Sequence, residues 1–110
     1  MTITWNDFEK IDIRVGTILE VTDFPKAKKP SYQIKIDFGK EGVKMSSAQI
    51  TEYYKKENLV GQQVVAVLNF PAKQVANFFS ECLVLGIFDE QQEVVLLQPE
   101  RKVINGGRVG

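Results

Sequence analysis

The chain contains no histidine and a single cysteine, Cys82. Without imidazole there is no histidine-based triad and no ordinary zinc site, and a lone thiol cannot form an internal disulfide. No apolar run approaches the ~18 residues that a membrane span needs. The opening Met1-Thr2-Ile3-Thr4-Trp5 lacks both the basic head and the apolar stretch of a secretory signal. The expectation is a cytoplasmic protein with no direct membrane insertion. An excess of one charge is missing too: 14 Lys plus Arg balance 14 Asp plus Glu. Phosphate affinity comes mainly from Lys and Arg releasing counterions, so strong general polyanion binding is excluded and any nucleic-acid contact must be local. A phosphate-cradling Gly-x-x-x-x-Gly-Lys loop is absent, and the scattered carboxylates propose no acid and base pair. The chain reads as a noncatalytic, ATP-independent protein with no cofactor and no metal.

What is present is an ordinary globular composition, 110 residues with 44% apolar and 25% charged side chains, which fits one domain, residues 1–110, around one core. Thr4 can cap a short helix over residues 4–10, with Asp7 at its positive end and Trp5 and Phe8 on one face. From Ile11 to Val21 apolar residues alternate, and the pattern predicts a long strand with Ile11, Ile13, Val15, Thr17, Leu19 and Val21 facing inward and a bulge or bend at Gly16. Phe24 to Pro30 reads as an exposed, proline-stiffened loop. Tyr32, Ile34, Ile36 and Phe38 mark a second strand, Gly39 to Gly42 a turn, and Val43 to Ser47 a third strand. Helical spacing of Ile50, Tyr53 and Tyr54 predicts a helix from Gln49 to Asn58. Val64–Leu68, Leu83–Phe88 and Val94–Leu97 are unbroken apolar runs, expected of strands covered on both faces. Strand, strand, strand, helix, strand, strand is the order of the five-stranded Greek-key OB barrel. The fold class is therefore all-β with short helices: an N-terminal helix, a barrel over about residues 11–88 and a C-terminal extension over about residues 89–110. A small barrel cannot bury three such runs and Trp5 and Phe8 besides. A homodimer joined through an isologous patch, with the extension contributing to it, resolves this.

Specific residues carry a resemblance. Asp12-Ile13-Arg14-Val15-Gly16-Thr17-Ile18 resembles the opening of the tRNA-binding OB domains found as free proteins and at the C-termini of methionyl-tRNA synthetases, and Phe70-Pro71 through Ser80-Glu81 is similar to their late loop. Ile36-Asp37-Phe38-Gly39, Ser46-Ser47-Ala48-Gln49-Ile50-Thr51, Asn69-Phe70-Pro71, Ser80-Glu81, Leu83-Val84-Leu85-Gly86, Leu96-Leu97-Gln98-Pro99 and Asn105-Gly106-Gly107 more narrowly resemble the CsaA family of export-related chaperones. The resemblance implies a homodimeric OB fold that binds unfolded or precursor polypeptides, with the termini in the dimer contact, and admits the protein-export machinery as a further partner. The late loop departs from the pattern: Ala76-Asn77-Phe78-Phe79-Ser80-Glu81-Cys82 has lost a charge and gained an aromatic, which favours apolar peptide over RNA.

For the peptide reading the candidate residues are Asn69, Phe70, Phe78, Phe79, Ser80, Glu81, Ser46, Ser47 and Gln49. Adjacent Phe78 and Phe79 point oppositely if extended, one inward and one to solvent or ligand, unless a dimer buries both. Asn69 either satisfies its own turn or hydrogen-bonds a bound backbone or base edge. Ser80 and Glu81 either close a loop or offer a hydroxyl and a carboxylate. Ser46, Ser47 and Gln49 either line the same groove or start the helix. For the alternative, a tRNA-binding OB protein, Lys26, Lys28, Lys29, Lys73 and Arg14 are the candidates. Lys26, Lys28 and Lys29 form a solvated loop or neutralise about two or three phosphates; Arg14 makes an ion pair or reaches a ligand. Cys82 reads as a small buried hydrophobe.

Overall fold

In the computed structural model, which describes residues 1–110, Thr4 starts the first element as its sequence predicts. The Thr4 hydroxyl accepts from the Asp7 amide and the Asp7 carboxylate accepts from the Thr4 amide, a complete capping box that satisfies two otherwise orphaned donors. Helix α1 spans Trp5–Glu9 and buries none of its residues. The strands are β1 (Ile13–Asp23), β2 (Tyr32–Asp37), β3 (Val43–Ala48), β4 (Gln63–Val67), β5 (Lys73–Val75), β6 (Phe78–Ser80), β7 (Leu83–Val84), β8 (Gly86–Phe88) and β9 (Val94–Leu96).

β3, β2, β1, β4 and β7 are hydrogen-bonded in that order as one antiparallel five-stranded sheet, while β5–β6 and β8–β9 are separate hairpins. β7 does not reach β3 as a regular ladder. Instead, the Glu81 amide donates to the Met45 carbonyl at 2.8 Å, and the Met45 amide donates to the Glu81 carboxylate at 2.8 Å. The sheet thus curls into a nearly closed barrel of the OB type.

The long first strand bends as expected, by a different device. Its register with β2 slips between Ile18 and Glu20, so the bulge is at Leu19 and not at Gly16. The slip reverses the phase: Ile18 lies in the core and Val21 packs against it, whereas Leu19 and Ile11 are exposed. The inward set inferred from alternation is corrected accordingly. Gly16 has its own reason, because a Cβ there would sit 2.6 Å from side-chain atoms of both Ile36 and Phe38. Val15 is buried beneath the chain's last segment, exchanging backbone hydrogen bonds with Gly106 and Gly107.

Ile18, Ile34, Ile36, Phe38, Leu59 and Val64 are each less than 2% exposed or at that limit, and each such side chain contributes about 1.5–3 kcal/mol on burial. The helix expected over residues 49–58 is a turn followed by one short helix, α2, Lys56–Leu59. Ile50 instead packs into the core from an irregular segment, and the Tyr32 hydroxyl donates to the Tyr54 carbonyl at 2.7 Å. The Leu83–Phe88 run is a second correction. It breaks at Leu85 into β7 and β8, and Leu83, Ile87 and Phe88 are exposed in the single chain. No helix is long and apolar enough to cross a membrane.

Candidate functional site

The segment between β4 and β7 and the loop between β1 and β2 meet at one place. Val75 and Phe78 face each other across the β5–β6 hairpin, whose turn holds Ala76 at a positive φ of 53°. Side chains directly opposite share a face, so Lys73, Val75, Phe78 and Ser80 lie on one side and Gln74 and Phe79 on the other. On the inner side Phe78 meets Phe24 edge-on, with ring centroids 5.4 Å apart. Phe24 is itself buried, although its setting among Pro25, Lys26, Lys28 and Lys29 reads as an exposed loop. It is a positioning residue that sequence reasoning missed; the only signal was a large apolar side chain opening a basic segment. Its contact docks the lysine loop against the hairpin.

Phe79, on the outer side, is 57% exposed. The two phenylalanines therefore divide as adjacent extended residues must: Phe78 is half-buried and Phe79 faces solvent. Lys26, Lys28 and Lys29 are exposed beside the hairpin, and none of them, nor Lys73, forms an ion pair. Alternation puts Lys73 on the face opposite Phe79. Exposed aromatic, free lysines and no enclosed pocket can do two things: grip an apolar side chain, or stack a base beside a loosely neutralised backbone.

Ser46, Ser80, Glu81, Asn69 and Arg14 are occupied by contacts within the chain. Ser46 is fully buried and donates to the Cys82 carbonyl at 2.9 Å. The Ser80 hydroxyl accepts from the Ser47 amide at 3.2 Å and donates to the Cys82 carbonyl at 3.2 Å. Together with the Glu81 carboxylate on Met45 they close the barrel, which is the loop-closing alternative weighed for Ser80 and Glu81. Asn69 also looks inward: its oxygen accepts from the Asp12 amide at 2.9 Å and its amide donates to the Lys10 carbonyl at 2.7 Å. It ties the end of α1 to the end of β4, leaving Phe70 beside it exposed. Gln49 is exposed in the turn after β3. Arg14 is committed to an ion pair with Asp12 at 2.7 Å, another with Glu41 at 3.2 Å and a hydrogen bond to the Gly106 carbonyl at 3.0 Å. Its hydrogen bond to the Asp12 carboxylate, which accepts from Nε, raises its pKa further. Cys82 is buried, and burial pushes its thiol up to about 11.

Other large apolar side chains are exposed away from this hairpin. Trp5 is 82% exposed, Ile87 58%, Phe88 68% and Ile104 84%, and they sit on α1, on β8 and in the last segment of the chain. A cleft of about 430 Å³ lies between Trp5, Phe8 and Val109. The last segment is fastened by polar contacts that sequence inspection did not assemble: Gln63 exchanges hydrogen bonds with the Val103 backbone, and Thr17 donates to Asn105 at 2.7 Å.

A curled antiparallel sheet, an aromatic hairpin and a basic loop at one end define an OB-type binding domain. The sequence profile of the putative tRNA binding domain matches residues 13–108, and the chain belongs to that family. Among solved structures it is similar to chaperone CsaA from Bacillus anthracis, at 47% identity and a TM-score of 0.95 with all of both chains covered. It is also similar to the CsaA chaperone protein from Picrophilus torridus, at 53% identity and a TM-score of 0.92, covering 99% of this chain and 100% of that one. The methionine–tRNA ligase of Pyrococcus abyssi is 38% identical over 109 residues, 99% of this chain. The chain spans about 15% of the length of that ligase.

Proposed function

We propose that this chain is a noncatalytic, ATP-independent chaperone that holds unfolded or export-destined polypeptides as a cytoplasmic homodimer, with the protein-export machinery as a further partner. The observation that carries the reading is end-to-end similarity, at 47% and 53% identity, to two proteins described as CsaA chaperones. Phe79 and Phe70 supply apolar grip, the half-buried Phe78 holds the hairpin, and the polar groups of Asn69, Ser80, Glu81, Ser46 and Ser47 set the shape around them. Two such surfaces on one dimer raise avidity for a long client without new contacts.

A second reading, tRNA binding, is favoured by one feature: the unpaired Lys26, Lys28 and Lys29 stand beside the hairpin that exposes Phe79. With two or three phosphates neutralised, the log-log salt slope is only about −2. Titration of a fluorescent unfolded precursor peptide and of total tRNA, each at low and at physiological ionic strength, separates the two. Peptide affinity that barely responds to salt, with tRNA released, is the expected result. Retention of tRNA at physiological salt without peptide binding overturns it.

A further inference from the structure

Asn105 is the one asparagine of this chain that precedes a glycine; Asn6, Asn58, Asn69 and Asn77 precede Asp7, Leu59, Phe70 and Phe78. In an Asn-Gly pair the backbone nitrogen of the glycine, once deprotonated, can attack the side-chain carbonyl carbon, because no Cβ hinders the approach. The new N–C bond closes a five-membered imide as the side-chain nitrogen leaves as ammonia. Water then opens the ring at either carbonyl. One product is aspartate; the other is isoaspartate, whose backbone runs through the side chain and is one methylene longer.

The folded chain engages both reacting groups. The nucleophile would be the Gly106 nitrogen, whose hydrogen is donated to the Val15 carbonyl at 2.8 Å. The electrophile is the Asn105 carboxamide, whose oxygen accepts from the Thr17 hydroxyl at 2.7 Å and from the Gln63 amide at 3.1 Å. The backbone between them is packed without slack. The Asn105 carbonyl fills the space that a side chain on Gly39 would need, and the Phe38 carbonyl oxygen lies 2.6 Å from where a Cβ on Gly106 would sit. The imide nitrogen carries no hydrogen, so ring closure necessarily breaks the bond to Val15. An aspartate product can restore it, since both bonds at residue 105 end on an oxygen that a carboxylate also supplies. An isoaspartate product has to place an extra methylene where no Cβ fits.

We propose that Asn105-Gly106 is a modification site guarded by the fold: it deamidates when the last segment lifts from β1, and the isoaspartate formed keeps that segment from returning. Each such event uncovers Val15, which is buried in the closed form, and makes a transient opening permanent.

Peptide mapping by mass spectrometry, after incubation of the full chain at mildly alkaline pH with and without guanidinium chloride, tests the site. The tryptic peptide of residues 103–108 reports Asn105. In denaturant Asn105 should deamidate ahead of Asn58, Asn69 and Asn77, and in the native protein it should react at least about tenfold slower than in denaturant. Thr17→Val removes one bond to the carboxamide and should raise the native rate about three- to tenfold. Protein carrying isoaspartate should exchange the Val15 amide faster than the unmodified chain, whereas Asn105→Asp should keep it protected. Equal native and denatured rates, or an unchanged rate in Thr17→Val, overturn the guard. Val15 protection that survives isoaspartate overturns the permanent opening.

Discussion

At Gly16 the decisive quantity is a distance. The fully buried Ile36 and Phe38 have no room to retreat from a Cβ placed 2.6 Å away, and overpacking of this kind costs about 1–3 kcal/mol. Gly16→Ala should lower the unfolding free energy by that amount, read as a lower urea midpoint at an unchanged m-value; a midpoint equal to wild type would show that the strand can shift. Glycine inside an alternating pattern was visible in the sequence as a special position, but its cause was not. The bulge sits at Leu19 because the barrel bends there, and nothing in a period-two pattern distinguishes those sites. Cys82 was legible throughout, as a small apolar residue opening an apolar strand. Its thiol rises from an ordinary value near 9.0 to about 11 because burial penalises the thiolate. The native protein should therefore resist iodoacetamide at pH 8, reacting at least tenfold slower than in denaturant. The linkage has a definite sign: the unfolded thiol ionises first, so this group's contribution to stability is intact below pH 9 and declines as pH rises through the native value. Rapid alkylation of the folded protein would contradict the burial.

Among the elements, the β5–β6 hairpin separates structure from binding within two adjacent residues. Phe78 packs on Phe24, so Phe78→Ala should cost about 1–2 kcal/mol, a part-buried fraction of the usual core loss, and should loosen the lysine loop with it. Phe79 touches solvent, so Phe79→Ala should change stability by no more than about 0.5 kcal/mol yet weaken an unfolded client about fivefold. Denaturant melts and peptide titrations of the two variants check this. Equal effects of both substitutions on both measurements would remove the distinction. Adjacency alone foretold that the two rings point apart; which one faces the barrel depended on Phe24, buried from across the fold. The same limit explains the helix expected after Gln49. Ile50, Tyr53 and Tyr54 have helical spacing, but each is held by a different long-range partner, the core, Asp89 and Leu96 respectively, and tertiary contacts override the local period. Ser80 and Glu81 likewise look like site residues in one dimension and become barrel closure only when β3 is brought beside them.

For the molecule as a whole, the strand order was readable because each strand's pattern and spacing survive in the sequence, whereas the exposure of Ile87 and Phe88 was not, because an unbroken apolar run reads as covered on both faces. Trp5, Ile87, Phe88 and Ile104 are large apolar side chains left in water in the single chain, and such exposure is what a contact with a second copy would cover. A stable isologous contact needs roughly 800 Å² per partner, and the exposed apolar side chains of α1, β8 and the last segment are of the right chemistry to contribute to one. The wild-type chain should therefore sediment at twice its 12.5 kDa at about 10 μM. Because no ion pair engages these side chains, association should be nearly indifferent to salt, unlike a charge-driven contact. Phe88→Glu places a charge on β8, where pairing two copies through that strand would desolvate it without a partner. That variant should sediment as a monomer while keeping the far-ultraviolet spectrum and the core melting of the wild type. A Phe88→Glu protein that still dimerises would move the interface elsewhere. Dissociation that follows ionic strength would assign it to the charged loops instead of the apolar face.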